Sequence, residues 1–412
     1  MTMAQEMDCV IIGGGASGFF FAANYAKRHP AHKVCILEKS SKVLQKVKIS
    51  GGGRCNVTHA EFFPKELTTN YPRGERELIG PFHKFMTGDM MAWLEERGVK
   101  LKIEDDGRIF PVSDDAQTII DCFLDEVRQY NVKVCTSQAV KSFEHLDGVW
   151  KVQTKKDTLI ARELVISTGS SLKIWDQLKE LGHKILPPVP SLFTLVVNDP
   201  ELTKLKGLSL KTRIELYASV NDKNCLLSSS GDTLITHWGL SGPCVLKLSA
   251  WGAAQLHELN YQCCIKVNWL PHLHTDTLNS LLRKEKQRAA RKQVNKQAQF
   301  HLPKRFWSFL IDSAGIDQTK LWADLSKSEL NAITRSLTAT YLEINGKSTY
   351  KEEFVTAGGV DLKEIDLRNY RSKKLPQLKI IGEALNIDAI TGGFNFQSAW
   401  TSAYIAATSE SS

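Results

Sequence analysis

Three glycines and one glutamate near the amino terminus have the residue types and spacing of a dinucleotide-binding site. Gly13, Gly15 and Gly18 occur in the order G-x-G-x-x-G, and Glu38 follows. In such a site the first glycine allows a tight turn, the second lets the backbone approach a pyrophosphate, and the third lets a helix pack close to a sheet. The carboxylate accepts hydrogen bonds from the hydroxyl groups of the adenosine ribose. This chemistry is the binding of NAD or FAD, and the triplet alone does not separate the two.

The residues around the triplet predict a strand, a turn, a helix and a second strand. The apolar runs 9–12 and 34–37 have the length of buried parallel strands, and small and apolar residues recur at helical spacing between them. At the helix start, Ala16 and Ser17 would direct free N–H groups at the phosphates. An ordinary glycine-rich turn between a strand and a helix is the alternative. The strands, the helix and the closing acid together favour the nucleotide site.

A second glycine cluster, residues 51–53, precedes Arg54, Cys55 and Asn56. Consecutive glycines suit a loop that lies against a cofactor and presents backbone N–H groups, although a flexible surface loop is the alternative. Arg54 could bind a cofactor phosphate or an anionic substrate, and we favour the cofactor. Cys55 is a candidate redox residue, but that role needs a resolving thiol or a low pKa, so simple packing is the competing interpretation.

The carboxyl-terminal residues favour FAD over NAD. A predicted buried strand at 378–381 leads into Gly382 and Glu383, and Asp388 and the glycine pair 392–393 follow before an apolar helical pattern. An acid just after a strand can bind a polyol hydroxyl, and a glycine pair at a helix start can place N–H groups against a ring carbonyl. An NAD site has no use for this distant second set of groups. A flavin can use this second set of groups, because its ribityl chain and isoalloxazine ring extend beyond the adenosine half.

Three further positions carry predictions. The strand at 164–167 ends in Thr168 and Gly169, a turn that would return the chain past the dinucleotide. Val140 would lie near the adenine if the strand before it joins the nucleotide-binding sheet. His237, in the loop 236–243, is a candidate proton donor because histidine titrates near neutrality. A structural histidine that caps this loop is the alternative.

The composition shifts near residues 187–190, where three prolines occur. We predict an α/β fold: a Rossmann-like FAD-binding domain of the two-dinucleotide-binding type, formed by residues 1–188 and 345–412. Alternating β-branched residues predict an inserted antiparallel β-subdomain at 189–268. Helical periodicity predicts a small helical subdomain at 269–344, and strand patterns return at 341–344 and 353–356.

The chain has 412 residues, more than one core usually holds. We find no apolar run of about 18 residues and no signal peptide, so we expect a cytoplasmic protein with no membrane partner. The nine cysteines form no C-x-x-C pair, which fits a reducing compartment and predicts no metal site. No second G-x-G-x-x-G occurs, so a separate NAD(P)H domain is not expected, but NADH or NADPH could dock transiently as electron donor. The sequence does not predict the oligomeric state.

The formal net charge of +8 is concentrated in residues 283–305, which hold nine Lys or Arg and one acid. We interpret this segment as a basic helix. A solvated helical face is the commoner explanation, which argues against a nucleic-acid partner. The alternative is a flavin-dependent RNA-modifying enzyme, or a flavin-bearing RNA-binding module, that uses this helix.

Several of these motifs give the sequence a resemblance to the HI0933-like or YhiN-like flavoproteins, also called aminoacetone-oxidase-like or BaiN-like NAD(P)/FAD-dependent oxidoreductases. The resemblance covers nearly the whole chain. It is most specific in the Ser-Gly-Gly-Gly-Arg-Cys-Asn stretch at 50–56 and the carboxyl-terminal glycine pair. It implies an FAD-dependent oxidoreductase acting on a small organic substrate that the sequence does not identify.

The resemblance also implies a set of FAD contacts, transferred position by position. They are Gly13, Gly15, Ala16, Ser17, Gly18, Glu38, Lys39, Gly52, Gly53, Arg54, Cys55, Asn56, Val140, Thr168, Gly169, Gly382, Glu383, Asp388, Gly392, Gly393, Asn395 and Phe396.

The sequence departs from the family pattern at three places. Leu44 and Gln45 replace Gly-Arg, and His59 replaces Asn. After Gly169 the chain runs into a helix at Leu172, without the longer Gly/Ser/Asp-rich segment of the family. Because this loop could border the active site, the substrates of characterised relatives should not be assumed.

Overall fold

The structure, a computed structural model, describes residues 5–348, 355–375 and 377–409. It divides into two compact units, the first formed by 1–188 and 356–412 and the second by 189–355. Each unit has its own buried apolar core. No helix in the described part of the chain has both the length and the apolar character that crossing a membrane requires.

The strands of the described residues, in chain order, are β1 Gln5–Ile12, β2 Val34–Leu37, β3 Thr58–His59, β4 Leu101–Ile103, β5 Arg108–Pro111, β6 Lys133–Cys135, β7 Val140–Leu146, β8 Val149–Thr154, β9 Thr158–Ile166, β10 Ile185–Ser191, β11 Leu195–Val197, β12 Ser209–Tyr217, β13 Leu227–Ile235, β14 Gly239–Ser241, β15 Gln262–Asn268, β16 Thr340–Lys347, β17 Val355–Val360, β18 Ile365–Asp366, β19 Arg371–Ser372 and β20 Leu378–Ile380. Of the strand predicted at 353–356, residues 353 and 354 lie outside the described residues.

The α-helices are α1 Ala16–Arg28, α2 Gln45–Ile49, α3 Pro64–Thr68, α4 Ile79–Phe82, α5 Thr87–Glu95, α6 Ala116–Gln129, α7 Leu172–Glu180, α8 Pro200–Thr203, α9 Pro243–Trp251, α10 Ala253–Glu258, α11 Thr275–Arg288, α12 Lys304–Ser313, α13 Lys327–Thr338 and α14 Phe394–Thr408. Short 3-10 turns lie at Ser50–Gly53, Trp322–Asp324, Leu362–Glu364 and Gly382–Ala384.

A mixed sheet with β1 at its centre organises the first unit. β1 runs parallel to β2 and β9, β6 extends the sheet beyond β2, and β20 extends it beyond β9. The central strands read as continuous apolar runs because helices and loops cover both of their faces. The predicted Rossmann-like α/β class is therefore confirmed, and β6 joins the nucleotide sheet as the prediction for Val140 required.

Two helices fill the core beside this sheet. On α1, the Phe20 ring lies 4.8 Å from Trp93 and 5.4 Å from Trp400, measured between ring centroids. α14, where the sequence predicted an apolar helical pattern, is buried on nearly every side. Its polar side chains can be buried because they form hydrogen bonds. The Thr401 hydroxyl, for example, donates to the Phe85 carbonyl at 2.9 Å.

The second unit combines a closed six-stranded barrel with a helical layer. The barrel order is β11-β14-β13-β12-β15-β16. Three helices, α8, α9 and α10, lie within the stretch predicted to be a β-subdomain, and β16, which closes the barrel, begins inside the stretch assigned to the helical subdomain. β16 pairs with both β11 and β15, so the barrel has no open edge there. This strand runs to Lys347, past residue 345, where the sequence analysis placed the return to the FAD-binding domain.

The basic segment 283–305 is not one helix. α11 ends at Arg288, an irregular loop follows, and α12 begins at Lys304. The helix stops because tertiary hydrogen bonds hold the loop backbone: the Val294 N–H donates to the Lys320 carbonyl at 2.9 Å and the Trp322 N–H donates to the Lys292 carbonyl at 3.0 Å.

Candidate dinucleotide-binding site

The predicted cofactor residues of the first unit gather at one edge of its sheet. Gly13 directly follows β1, Glu38 follows β2, Thr168 closely follows β9, and Gly382 closely follows β20. These four strands are parallel neighbours, so their carboxyl ends lie side by side. Ligands of open parallel sheets bind at this edge.

The glycine turn after β1 combines two packed positions with one open one. Gly13 has φ +116°, and a Cβ there would lie 2.5 Å from the Ser167 carbonyl oxygen. A Cβ on Gly18 would collide with the Gly13 carbonyl oxygen. A Cβ on Gly15 would meet no described atom within 4 Å. The first and third glycines thus pack the turn against its surroundings, and the second leaves space for a ligand.

The start of α1 faces this open space with backbone donors. The N–H groups of the first helical residues have no acceptor inside a helix, which makes a helix start a site for anions. Gly382 packs against this start, since its Cβ would lie 2.6 Å from the Ser17 hydroxyl oxygen. The structure therefore brings Gly382, from the carboxyl-terminal part of the chain, to the glycine turn near the amino terminus.

Replacing Gly15 with alanine should weaken FAD binding while the fold is retained. The added methyl group enters open space at a φ of −95°, which alanine accepts, but it occupies the position where a pyrophosphate would approach. We expect at least about a tenfold loss of affinity, or about 1.4 kcal/mol. FAD titration by fluorescence quenching, with thermal unfolding in parallel, measures both quantities.

Gly13→Ala is the matched control for this prediction. Its methyl group meets the Ser167 carbonyl at a φ that alanine tolerates poorly, so it should lower the unfolding temperature as well as FAD content. Equal FAD affinity in Gly15→Ala and the unmodified protein would contradict the assignment of the open space.

The Glu38 carboxylate is held by backbone donors at this edge. One oxygen accepts from the Gly14 N–H at 2.8 Å and the other from the Ser40 N–H at 2.7 Å. A carboxylate offers about four acceptor positions, so two remain for ribose hydroxyls. Lys39, the next predicted contact, is exposed, and Val140 is buried on β7.

The glycine loop 51–53 has left-handed backbone at all three residues, with φ of +57°, +69° and +85°. A Cβ on Gly52 would meet no described atom within 4 Å, whereas one on Gly51 would lie 2.8 Å from the Phe110 ring. The loop is therefore packed against its own unit at Gly51 and open at Gly52. Such a surface could lie against a cofactor.

The Arg54 guanidinium is engaged by acidic side chains and an aromatic ring. Its guanidinium donates to Glu104 at 2.6 Å, lies 3.4 Å from Asp114, and sits 3.9 Å above the Phe110 ring. The hydrogen bond to Glu104 also raises the pKa of Arg54. Because two carboxylates already neutralise this cation, the structure favours a bracing role for Arg54 over the phosphate contact that the sequence predicted.

Cys55 and Asn56 also have structural roles here. The Cys55 thiol is fully buried at φ +62°, and burial raises its pKa to about 12, so it is no exposed thiolate. These features describe a packing residue, and the redox role proposed from sequence gains no support. The Asn56 amide, in the orientation that satisfies both its ends, donates to the Thr58 carbonyl at 2.9 Å and accepts from the Gly393 N–H at 3.0 Å.

The start of α14 is fixed against this loop. Gly393 precedes the helix with φ +93°, and the Tyr71 hydroxyl donates to the Phe394 carbonyl at 2.6 Å. The Asn395 side chain bonds both backbone groups of Ala389 at 3.0 Å, so it closes its own loop. Since Asn56 takes the Gly393 N–H, only the later N–H groups of the helix start are open to a ring carbonyl.

Asp388 is also engaged by a residue of opposite charge. Its carboxylate has no exposed surface and forms a two-point ion pair with Arg73. Phe396, next to Asn395, stacks on Trp400 with ring centroids 5.4 Å apart. These two positions are better explained by packing and charge pairing than by direct contact with a ribityl chain.

Glu383 and Gly169 both lie close to Lys46, a residue to which the sequence analysis assigned no role. The Lys46 ammonium lies 2.5 Å from the Glu383 carboxylate, and a Cβ on Gly169 would lie 3.3 Å from the same carboxylate. Lys46 lies shortly before the glycine cluster 51–53 in the sequence, and this proximity was the signal that could have identified it.

His59, one of the departures from the family pattern, lies beside the α14 start. Its ring stacks on Phe394 with centroids 4.5 Å apart, and its Nε2 lies 3.1 Å from the Asp106 carbonyl oxygen. Burial lowers the pKa of His59. The imidazole ring of His59 is therefore neutral at neutral pH. His237, the predicted proton donor, is exposed and belongs to the second unit, so the structure does not test its role.

These residues fit a dinucleotide better than a mononucleotide. Open glycine positions, a helix start and an acid suit the adenosine diphosphate half, and the Gly382 and α14 regions add a second set of groups in the same unit. When FAD binds such a site it supplies hydride transfer.

This fold and site define the class of FAD-dependent oxidoreductases with a Rossmann-like nucleotide-binding domain. A family model described as "HI0933-like protein Rossmann domain" matches residues 7–409. The chain therefore belongs to the HI0933-like family, and the resemblance inferred from its motifs is confirmed.

Two relatives of established name align over nearly their whole length. A ribosomal RNA dihydrouridine synthase of Haemophilus influenzae is 28% identical over 99% of both chains. A 3-dehydro-bile acid delta(4,6)-reductase of Clostridium scindens is 24% identical over 96% of this chain and 97% of its own.

A solved structure shares the fold. The 3-ketosteroid-delta4-(5alpha)-dehydrogenase of Rhodococcus jostii, in complex with 4-androstene-3,17-dione, has a TM-score of 0.50 and 11% identity, and the match covers 99% of this chain and 98% of that one.

Proposed function

We propose that this chain reduces a carbon–carbon double bond conjugated with a carbonyl group, and that its substrate is uridine in ribosomal RNA. The observation that carries the proposal is the end-to-end similarity to a relative named as a ribosomal RNA dihydrouridine synthase, together with the dinucleotide site. A small organic substrate, as the name of the bile acid reductase implies, is the competing proposal.

The names of the two relatives describe one type of bond change. Dihydrouridine is uridine with two hydrogens added across C5 and C6, a double bond conjugated with the C4 carbonyl. A 3-dehydro bile acid with double bonds at positions 4 and 6 carries the same arrangement in a ring ketone. In each compound, reduction of the double bond next to the carbonyl adds a hydride to the carbon remote from the carbonyl and a proton to the carbon beside the carbonyl.

In this proposal, some residues of the chain bind the cofactor and one residue donates a proton. The turn at Gly15 and the start of α1 hold the pyrophosphate of the flavin cofactor, and Glu38 holds the adenosine ribose. His237 remains the candidate proton donor, with an exposed side chain in a loop of the second unit. NADPH or NADH is the proposed source of electrons. The cytoplasmic location remains a prediction from sequence.

Anaerobic spectroscopy followed by nucleoside analysis tests the proposal. The purified protein should show flavin absorption near about 450 nm that NADPH or NADH bleaches. Adding ribosomal RNA transcribed in vitro, which carries only unmodified uridine, should restore the absorption. Mass spectrometry of the digested RNA should then detect dihydrouridine, and a reaction without nicotinamide nucleotide is the control.

Each other outcome of this experiment excludes a defined part of the proposal. Reoxidation by a 3-oxo-Δ4 steroid but not by RNA would retain the reductase chemistry and reject the RNA substrate. A protein that binds no flavin even after FAD is added would reject the entire proposal.

A further inference from the structure

The loop that joins α11 to α12, residues 289–303, is hydrogen-bonded along its backbone to another segment of the second unit. Its backbone pairs with residues 320–323 through three hydrogen bonds of 2.9–3.0 Å and an antiparallel bridge between Gln293 and Leu321. Val294 is fully buried, and its carbonyl accepts from the Trp307 indole N–H at 3.0 Å. We call this segment the basic loop.

Three cations of the basic loop are exposed and have no acidic partner. Arg291, Lys292 and Lys296 make no ion pair within the described residues, and together they line an open cavity of about 770 Å³. Two neighbouring cations outside the loop are engaged: Arg288 pairs with Glu285, and the Lys286 ammonium donates to a backbone carbonyl. Like charges held together on a fixed backbone repel one another, and an anionic partner relieves that repulsion.

A second cavity of about 460 Å³ adjoins the same segment. Lys284, Arg288, Phe300 and His301 are among its lining residues, and two of these four, Phe300 and His301, are aromatic. Phe300 and His301 both have left-handed backbone, with φ of +56° and +58°. Non-glycine residues keep this conformation only where the surrounding structure imposes it, often at a binding site. Glu285 also lines this cavity, but its carboxylate is engaged by Arg288 and Gln299.

We propose that the basic loop docks a single-stranded segment of RNA. Arg291, Lys292 and Lys296 contact successive phosphates, and a base stacks on Phe300. This inference rests on the RNA substrate of the proposed function, which it extends by naming a surface that holds the RNA. Non-specific strand binding in proteins commonly combines cationic grooves with aromatic rings, because phosphates supply the charge and every base has a stacking face.

The surface is tested on the full-length, FAD-loaded protein by fluorescence polarisation with a labelled uridine-rich RNA of about 12 nucleotides. The variant is R291Q/K292Q/K296Q. The control, K100Q/K155Q/K179Q, removes the same charge at three exposed lysines of the first unit that form no ion pair in the described residues. Circular dichroism and flavin content establish that both variants are folded.

Salt dependence separates phosphate contacts from a general effect of charge. Each phosphate contact contributes about 0.7 to the slope of log affinity against log salt for a single strand, so the variant should lose about 2 from that slope. Between about 50 and 200 mM salt, the unmodified protein should then lose about twentyfold more affinity than the variant. The control should keep the slope of the unmodified protein.

The outcomes distinguish this inference from the proposed function. Equal slopes for the variant and the control overturn the docking surface, whether or not dihydrouridine forms. Competition by vesicles of anionic phospholipid, or by an acidic polypeptide, at the same charge concentration as RNA would also overturn it. If R291Q/K292Q/K296Q loses RNA affinity and the control does not, the docking surface is supported, even if the unmodified protein forms no dihydrouridine. A failure to form dihydrouridine would reject only the proposed reaction.

Discussion

Replacing Arg73 with methionine should lower the free energy of unfolding by about 3–5 kcal/mol. Asp388 has no exposed surface, and the Arg73 guanidinium donates to both oxygens of its carboxylate. Removing the cation leaves a carboxylate buried without its charge partner, and the cost of desolvating that charge is then uncompensated. Urea denaturation monitored by tryptophan fluorescence measures the change.

Two further variants control the Arg73 prediction. Lys204→Met breaks an ion pair with Glu201 in which both side chains are about two-thirds exposed, so it should cost no more than about 1 kcal/mol. The double variant R73M/D388L removes both charges and should recover much of the stability lost in R73M. A loss in R73M no larger than that in Lys204→Met would show that the buried pair is not what stabilises this region.

The sequence predicted the parts of the site that depend on local pattern. The first strand, the glycine turn, α1 and the acid at the end of β2 are contiguous in the chain, so periodicity and residue type determine them together. The start of α7 at Leu172 is local in the same way. The close packing of Gly13 and Gly18 agrees with the turn and packing roles predicted for them, and the ligand role of Gly15 stays a prediction.

The parts that sequence could not predict are side-chain pairings between distant residues. Arg73 and Asp388 are 315 residues apart in the chain, and Arg54 and Glu104 are 50 apart. Arg54 and Asp388 were interpreted as cofactor ligands because they stand near glycines, yet the charge of each is neutralised by a partner that no local pattern identifies. The basic segment 283–305 was interpreted as a continuous helix because no local pattern shows where the helix ends. The hydrogen bonds that end it come from residues 320–323.

Replacing Gly393 with valine should abolish FAD retention. Gly393 has φ +93°, where a β-branched residue is strongly disfavoured, and its Cβ would lie 2.6 Å from the Thr58 carbonyl carbon and oxygen. The start of α14 must then move away from Thr58 and Asn56, which separates the two glycine-rich segments that we propose to hold the isoalloxazine half of the flavin. The ratio of absorbance near about 450 nm to protein absorbance measures the flavin retained after purification.

Gly315→Val provides the matched control, because it separates the backbone effect from the contact with Thr58. Gly315 also has left-handed backbone, with φ +73°, but its Cβ would meet no described atom within 4 Å, and it belongs to the second unit. Both variants therefore suffer the conformational cost, and only Gly393→Val adds a collision with Thr58. We expect Gly315→Val to keep its FAD. If Gly393→Val retained as much flavin as the control, with an unchanged reduction potential, the start of α14 would have no part in holding the cofactor.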